Sequence, residues 1–181
     1  MELPCEEHSL ASYFGGISLS NNFVAFTAYG NDGNIRAGFY GVCGFDGNYE
    51  IRRKDGIAAP QTNDTTAMWQ DKYTDINSGE MPSGKIEIYK DGNFNTLNTE
   101  EIVESHRAFL SNSGEIITAA ESGSWNLREY SEGNVVRKIG LGEEVYISSA
   151  VGFNGKIYAY VSEYSTSEQK SESKCLVWES E

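Results

Sequence analysis

Apolar residues in this chain fall mostly in short runs broken by Asn, Gly, Asp and Ser. Residues 108–139 show the pattern most clearly. Asn112-Ser113-Gly114 sits between Phe109-Leu110 and Ile116-Ile117, and Ser131-Glu132-Gly133-Asn134 sits between Leu127/Tyr130 and Val135/Val136/Ile139. Gly and Asn reach positive φ at little cost, as tight hairpin loops require. The flanking runs are too short, and too rich in β-branched and aromatic residues, to read as helices. The stretch predicts an antiparallel meander. The same reasoning predicts strands near 17–19, 23–28, 37–42, 86–89, 116–119, 125–130, 135–138, 146–151 and 156–161. Alternation along them places Val24, Phe26, Phe39, Ile88, Phe109, Ile117, Val151, Ile157, Ala159 and Val177 inside.

The pattern repeats. An apolar strand, an Asn/Gly turn and a second strand recur as GGISLS-NN-FVAFTAY (15–29), AFLS-NSG-EIITAA (108–120) and SSAVGF-NG-KIYAYV (148–161). A second element recurs as AGFYGVCGF-DGN-YEI (37–51), IEIY-KDGN-FNTL (86–97), LREY-SEGN-VVRKI (127–139) and CLVW-ESE (175–181). Interleaved, they give four-strand units (A–B–C–D) with a period of roughly 40–50 residues. This arrangement resembles β-propeller blades. It lacks the Gly-His and Trp-Asp dipeptides of WD-repeats and the paired glycines of kelch blades, so it points to no specific family. The resemblance implies an all-β, propeller-like domain of about four blades, with units at 9–54, 55–98, 99–140 and 141–181.

The second unit fits least well, because its first strand (57–61) contains Pro60, which suits an edge or a bend. Residues 98–110 carry a competing helix-start pattern, with Asn98 or Thr99 as cap and Ile102, Val103, His106 and Leu110 behind it. Long B–C loops are expected at 30–36, 77–85 and 163–174, the last a Ser/Glu/Lys-rich solvated segment. Unit four stops after its third strand. Closure is expected from residues 1–8, extending as far as 12, which would set Cys5 beside Cys175. The alternative is a homodimer that completes a larger ring.

Composition narrows the function classes. A net charge of −13 disfavours nucleic acid and anionic membranes as partners, permits binding to basic proteins, and reads first as a device for solubility. Three cysteines without zinc or redox spacing, and two histidines outside any nucleophile turn, predict neither a metal, a cofactor nor a catalytic residue. Asp32-Gly33-Asn34, Asp46-Gly47-Asn48 and Asp91-Gly92-Asn93 resemble calcium-loop fragments but lack the further spaced acids, so they read as turns. The N-terminus shows no basic n-region or apolar h-region, and the expectation is a cytoplasmic protein, or a secreted one if a leader was removed. The expected ligand face is that of the B–C loops, with Tyr29, Asp32, Asn34, Trp69, Tyr73, Trp125 and Tyr164 around it. The resulting expectation is a non-catalytic module, monomeric or homodimeric, that binds a protein, small molecule or carbohydrate. The alternatives are a small acidic inhibitor of a basic groove and a propeller-type glycoside hydrolase or lectin.

Overall fold

A computed structural model describes residues 13–32, 35–71, 85–99, 107–119, 127–141, 145–165 and 170–179. Fifteen strands appear among them. β1 (Tyr13–Leu19), β2 (Phe23–Asp32), β3 (Ile35–Gly44) and β4 (Tyr49–Arg53) form one sheet, and β5 (Gln61–Thr62), β6 (Thr66–Gln70), β7 (Lys85–Lys90) and β8 (Asn93–Asn98) a second. β9 (Arg107–Leu110), β10 (Ile116–Ala119), β11 (Leu127–Ser131) and β12 (Asn134–Ile139) form a third, and β13 (Val145–Phe153), β14 (Lys156–Ser165) and β15 (Lys170–Glu179) a fourth. Every sheet is an antiparallel meander in chain order. The chain divides into two compact units, Met1–Ile102 with the first two sheets and Val103–Glu181 with the last two.

Turn chemistry sets the registers. Asp91-Gly92, Glu132-Gly133 and Asn154-Gly155 each place two successive residues at positive φ, between 50° and 81°. This is the type I′ geometry whose twist matches that of the paired strands. A wider turn occurs twice: Gly44 N–H donates to Asn48 O (2.7 Å) and Ser111 N–H to Glu115 O (2.8 Å), with Gly47 and Gly114 at positive φ.

In the first unit Phe23, Ala25, Tyr40 and Val42 of one sheet pack with Ile57 and with Ala67 and Trp69 of the next. Tyr40, Trp69, Tyr89 and Phe94 meet there edge-on or tilted, with centroids 5.0–5.8 Å apart. In the second unit Ile117, Ala119 and Leu127 pack with Val145, Ile147, Ala150, Ile157, Ala159 and Val161.

The structure corrects several expectations. Residues 30–36 are no open loop, because the β2–β3 ladder runs to the pair Asp32↔Ile35. Nor are 163–165 and 170–174 loop: β14 and β15 stay paired out to Ser165↔Lys170, and cross-strand bonding offsets the ordering cost that composition alone suggests. Val151 and Val177, placed inside by alternation, are 42% and 49% exposed, while Val24, Ile88 and Phe109 are half-buried. The second sheet opens with only an isolated Ile57↔Asp71 bridge and the two-residue β5, beyond a buried Pro60. Arg107–Leu110 is strand, not helix. Residues 77–84, most of 98–110 and the proposed N-terminal closure with Cys5 lie outside the described residues; Cys43 and Cys175 are free thiols. Among the described residues no helix is long and apolar enough to cross a membrane.

Candidate binding cleft

The first unit carries a cleft of about 680 Å³ at the end of its strands where the β1–β2, β3–β4 and β7–β8 turns meet. One wall is Asn21-Asn22. Ser20 Oγ accepts from Asn22 N–H (3.1 Å) and Phe23 N–H (3.0 Å) and fixes that turn. Asn21 Nδ2 then donates to Asp64 Oδ1 (2.7 Å) and Asn22 Nδ2 to Asp64 O (3.0 Å), tying the first sheet to the loop before β6. That loop is itself built on Asn63 Oδ1, which accepts from Thr65 N–H (3.0 Å) and Thr66 N–H (2.8 Å), an Asx turn.

The opposite wall is the turn after β3. Asp46 Oδ1 accepts from Asn48 N–H (3.0 Å) and Oδ2 from Asn48 Nδ2 (2.8 Å). The Asn48 backbone donor, then its side chain, hold the Asp46 carboxyl below its ordinary range, so it is ionised at neutral pH. Phe45 and Tyr49, on either side, are 62% and 56% exposed. Phe23, Val42 and Tyr89 form the floor, with Phe23 and Tyr89 edge-on at 5.4 Å. Three carboxylates, Asp46, Glu50 and Asp91, line the cleft, and among the described residues no Lys or Arg does. Glu50 is partly answered by Arg52 at 2.9 Å.

A second polar group lies between the same two sheets. Lys54 Nζ contacts Asp71 Oδ1 at 2.9 Å and Glu87 Oε1 at 2.7 Å, and Glu87 Oε2 accepts from Thr96 Oγ1 at 2.9 Å. Asp71 and Glu87 are buried. Burial acts to lower the Lys54 pKa, but bonds to Glu87 and Asp71 outweigh it and the net shift is upward. The Tyr40 hydroxyl is pushed well above its usual value by burial and by the Glu87 charge. This cluster holds two sheets together.

Of the residues expected at a ligand face, Tyr29, Asp32, Trp69 and Tyr164 are among the described ones, and none of them lines the cleft. Tyr29 is half-buried, donates its hydroxyl to Ile57 O at 2.8 Å and covers Gly15, where a Cβ would collide with the ring. Trp69 is fully buried and its indole has no face left for a ligand. Asp32 ends β2 opposite Ile35, and Tyr164 pairs with Ser171 in the fourth sheet. Asn34, Tyr73 and Trp125 lie outside the described residues. The cleft sits at the other ends of the same strands: β2 begins in it at Phe23 and ends at Asp32. Its Asp-Gly and Asn-Asn turns were legible as turns. Phe45 and Tyr49 carried no signal beyond flanking one.

The repeated four-strand meander defines the class, a β-propeller-type fold of about four blades, the last three-stranded. The β-propeller domain of the Trilobed protease from Pyrococcus furiosus superposes with a TM-score of 0.68 over 93% of this chain and 55% of that one, at 9% identity. Pyrococcus horikoshii acylaminoacyl peptidase matches with a TM-score of 0.57 over 91% of this chain and 30% of that one, at 13% identity. An acylaminoacyl peptidase in complex with Z-Gly-Gly-Phe-chloromethyl ketone matches at 0.59 over 93% and 30%, at 13% identity. The chain thus spans about half the length of the first of these and less than a third of the others. These likenesses show the fold alone. No protein-family model and no curated protein matches the chain.

Proposed function

We propose that the chain is a non-catalytic propeller-type recognition module whose first-unit cleft takes a Lys or Arg side chain of a protein or peptide partner. The observation that carries this is the pairing of exposed Phe45 and Tyr49 rings with the Asp46, Glu50 and Asp91 carboxylates, of which Arg52 answers only Glu50, in a lining that among the described residues holds no Lys or Arg. Aromatic faces accept the stem and charge of Arg or Lys, and a fixed carboxylate pairs with the head group. Asp46 is pre-set for that role because its own turn keeps it charged and oriented. A net charge of −13 steers cationic partners toward the surface.

Calorimetric titration with short Arg- and Lys-bearing peptides tests the reading. Phe45→Ala and Tyr49→Ala are each expected to weaken binding about tenfold, the loss typical of a stacking anchor. Binding of neutral oligosaccharides with no salt dependence would replace the cation reading. The charge of −13 also favours a second reading, a small acidic protein that fills a basic groove of a target. There, affinity would fall steeply with salt yet ignore the Phe45 and Tyr49 changes.

A further inference from the structure

Three asparagines line the cleft, Asn21, Asn22 and Asn48, and each has its amide turned by an acceptor. Asn21 Nδ2 donates to Asp64 Oδ1 (2.7 Å), Asn22 Nδ2 to Asp64 O (3.0 Å) and Asn48 Nδ2 to Asp46 Oδ2 (2.8 Å). A carboxylate or a backbone carbonyl only accepts, so nitrogen must take that corner of each amide and Oδ1 the other. Gly44 leaves the room that the Asp46 carboxyl needs, since a Cβ there would stand 2.5 Å from Asp46 Oδ1. The acceptors are thus set before any ligand arrives: three amide oxygens and the carboxylates of Asp46, Glu50 and Asp91. Against them, the side-chain donors among the described lining residues are the second amide N–H groups and the hydroxyls of Tyr49, Thr65 and Tyr89.

A surplus of acceptors suits a group that donates without accepting. Sugar hydroxyls do both, whereas the two side-chain cations only donate. These differ from each other in shape. A Lys ammonium is a compact, strongly hydrated charge with three N–H donors; an Arg guanidinium is a flat, more weakly hydrated one with five donors in its plane. A flat cation can lie on a ring while its edge reaches oxygens beside that ring, and the exposed Phe45 and Tyr49 flank the Asp46–Asn48 turn.

The chain handles its own cations in these two ways. Arg52 lies 4.3 Å above the Phe94 ring centroid while its Nε and Nη2 donate to Glu50 Oε1 at 3.2 and 2.9 Å. Lys54 instead stands as a point charge between Asp71 and Glu87, at 2.9 and 2.7 Å. Open rings beside fixed oxygens repeat the surroundings of Arg52, and Glu50 itself belongs to the cleft.

We propose that the cleft selects an arginine guanidinium over a lysine ammonium, and that Asp64 is a positioning residue for this choice, acting through the Asn21 amide. The inference rests on the cation-binding reading of the same cleft and narrows its ligand to one chemical group.

Calorimetry with acetylated, amidated Gly-X-Gly peptides carrying Arg, Lys or citrulline at X tests this. Citrulline keeps the shape of Arg but is uncharged and places an accepting oxygen among the donors. The Arg peptide is expected to bind about tenfold or more tightly than the Lys peptide, and the citrulline peptide more weakly than both. Asp64→Ala releases the Asn21 amide and should narrow the Arg-over-Lys ratio to about threefold or less. Loss of one surface charge alone would weaken both cations alike and leave the ratio unmoved. Equal binding of the Arg and Lys peptides overturns the guanidinium assignment while the cation reading stands. A ratio that Asp64→Ala leaves unchanged overturns the role of Asp64. Binding of neither cation removes the cation reading itself, and this inference with it.

Discussion

The Trp69 indole N–H donates to the Phe26 carbonyl oxygen at 3.1 Å, a bond from the second sheet to the backbone of the first. Trp69 is fully buried and lies 5.3 Å from the Tyr40 ring, so one side chain supplies both the area and the polar anchor that join two sheets. Trp69→Ala should cost about 3–5 kcal/mol, the range for deleting a large buried aromatic. Urea denaturation checks it; a loss below about 1 kcal/mol would show that the two sheets do not depend on this contact.

Lys54→Met should cost about 3–5 kcal/mol at neutral pH, since it leaves the buried Asp71 and Glu87 carboxylates without their shared cation. In the wild type the raised Lys54 pKa contributes stability that is fully present below 10.5 and is lost as pH rises through the folded value. Denaturation midpoints of both proteins across pH read these trends directly.

Glu129 runs the other way. It lies 3.2 Å from Arg137, yet burial raises its pKa above 4.5 more than Arg137 lowers it. A carboxyl with a raised folded-state pKa contributes stability below its unfolded value and loses it as pH rises. Glu129→Gln should keep the packing, flatten the stability profile from pH 4.5 upward and leave the protein at least as stable at pH 7 as the wild type. A clear loss at pH 7 would mean that the ion pair dominates.

Ile117 and Val151 look alike in sequence, each an apolar residue in an alternating strand. Ile117→Ala should cost about 2–5 kcal/mol because the side chain is fully buried among Ala119, Leu127 and the fourth sheet. Val151→Ala, at 42% exposure, should stay within about 0.5 kcal/mol. Paired thermal or urea melts on the two variants separate buried from open faces of the strands.

Glu132 holds φ at 50°, a conformation that costs a residue with an ordinary Cβ about 1–2 kcal/mol. Asn154 occupies the same position of another hairpin at φ 51° and tolerates it better. Glu132→Asn should raise stability by about 0.5–1 kcal/mol, visible as a higher melting temperature. No gain would indicate that Glu132 makes a compensating contact beyond its turn.

What the sequence determined by itself was local. Asp91-Gly92, Glu132-Gly133 and Asn154-Gly155 dictate tight hairpins because few residue pairs accept two positive φ values in succession. Their spacing dictates four-strand meanders, and the repeat of the meander dictates the class of fold. Tertiary structure decided which face of each strand meets another sheet. Alternation assigns Val151 and Val177 to a face, but only the position of the third sheet determines that this face stays open. It also decided that β2–β3 and β14–β15 zip to their ends, since pairing energy comes from a partner strand that composition does not display. The cleft is of the same kind. Asn21, Asp46 and Asp91 are far apart in the chain and each reads as a turn residue; they come to line one cleft only because two sheets pack with those turns at a common end.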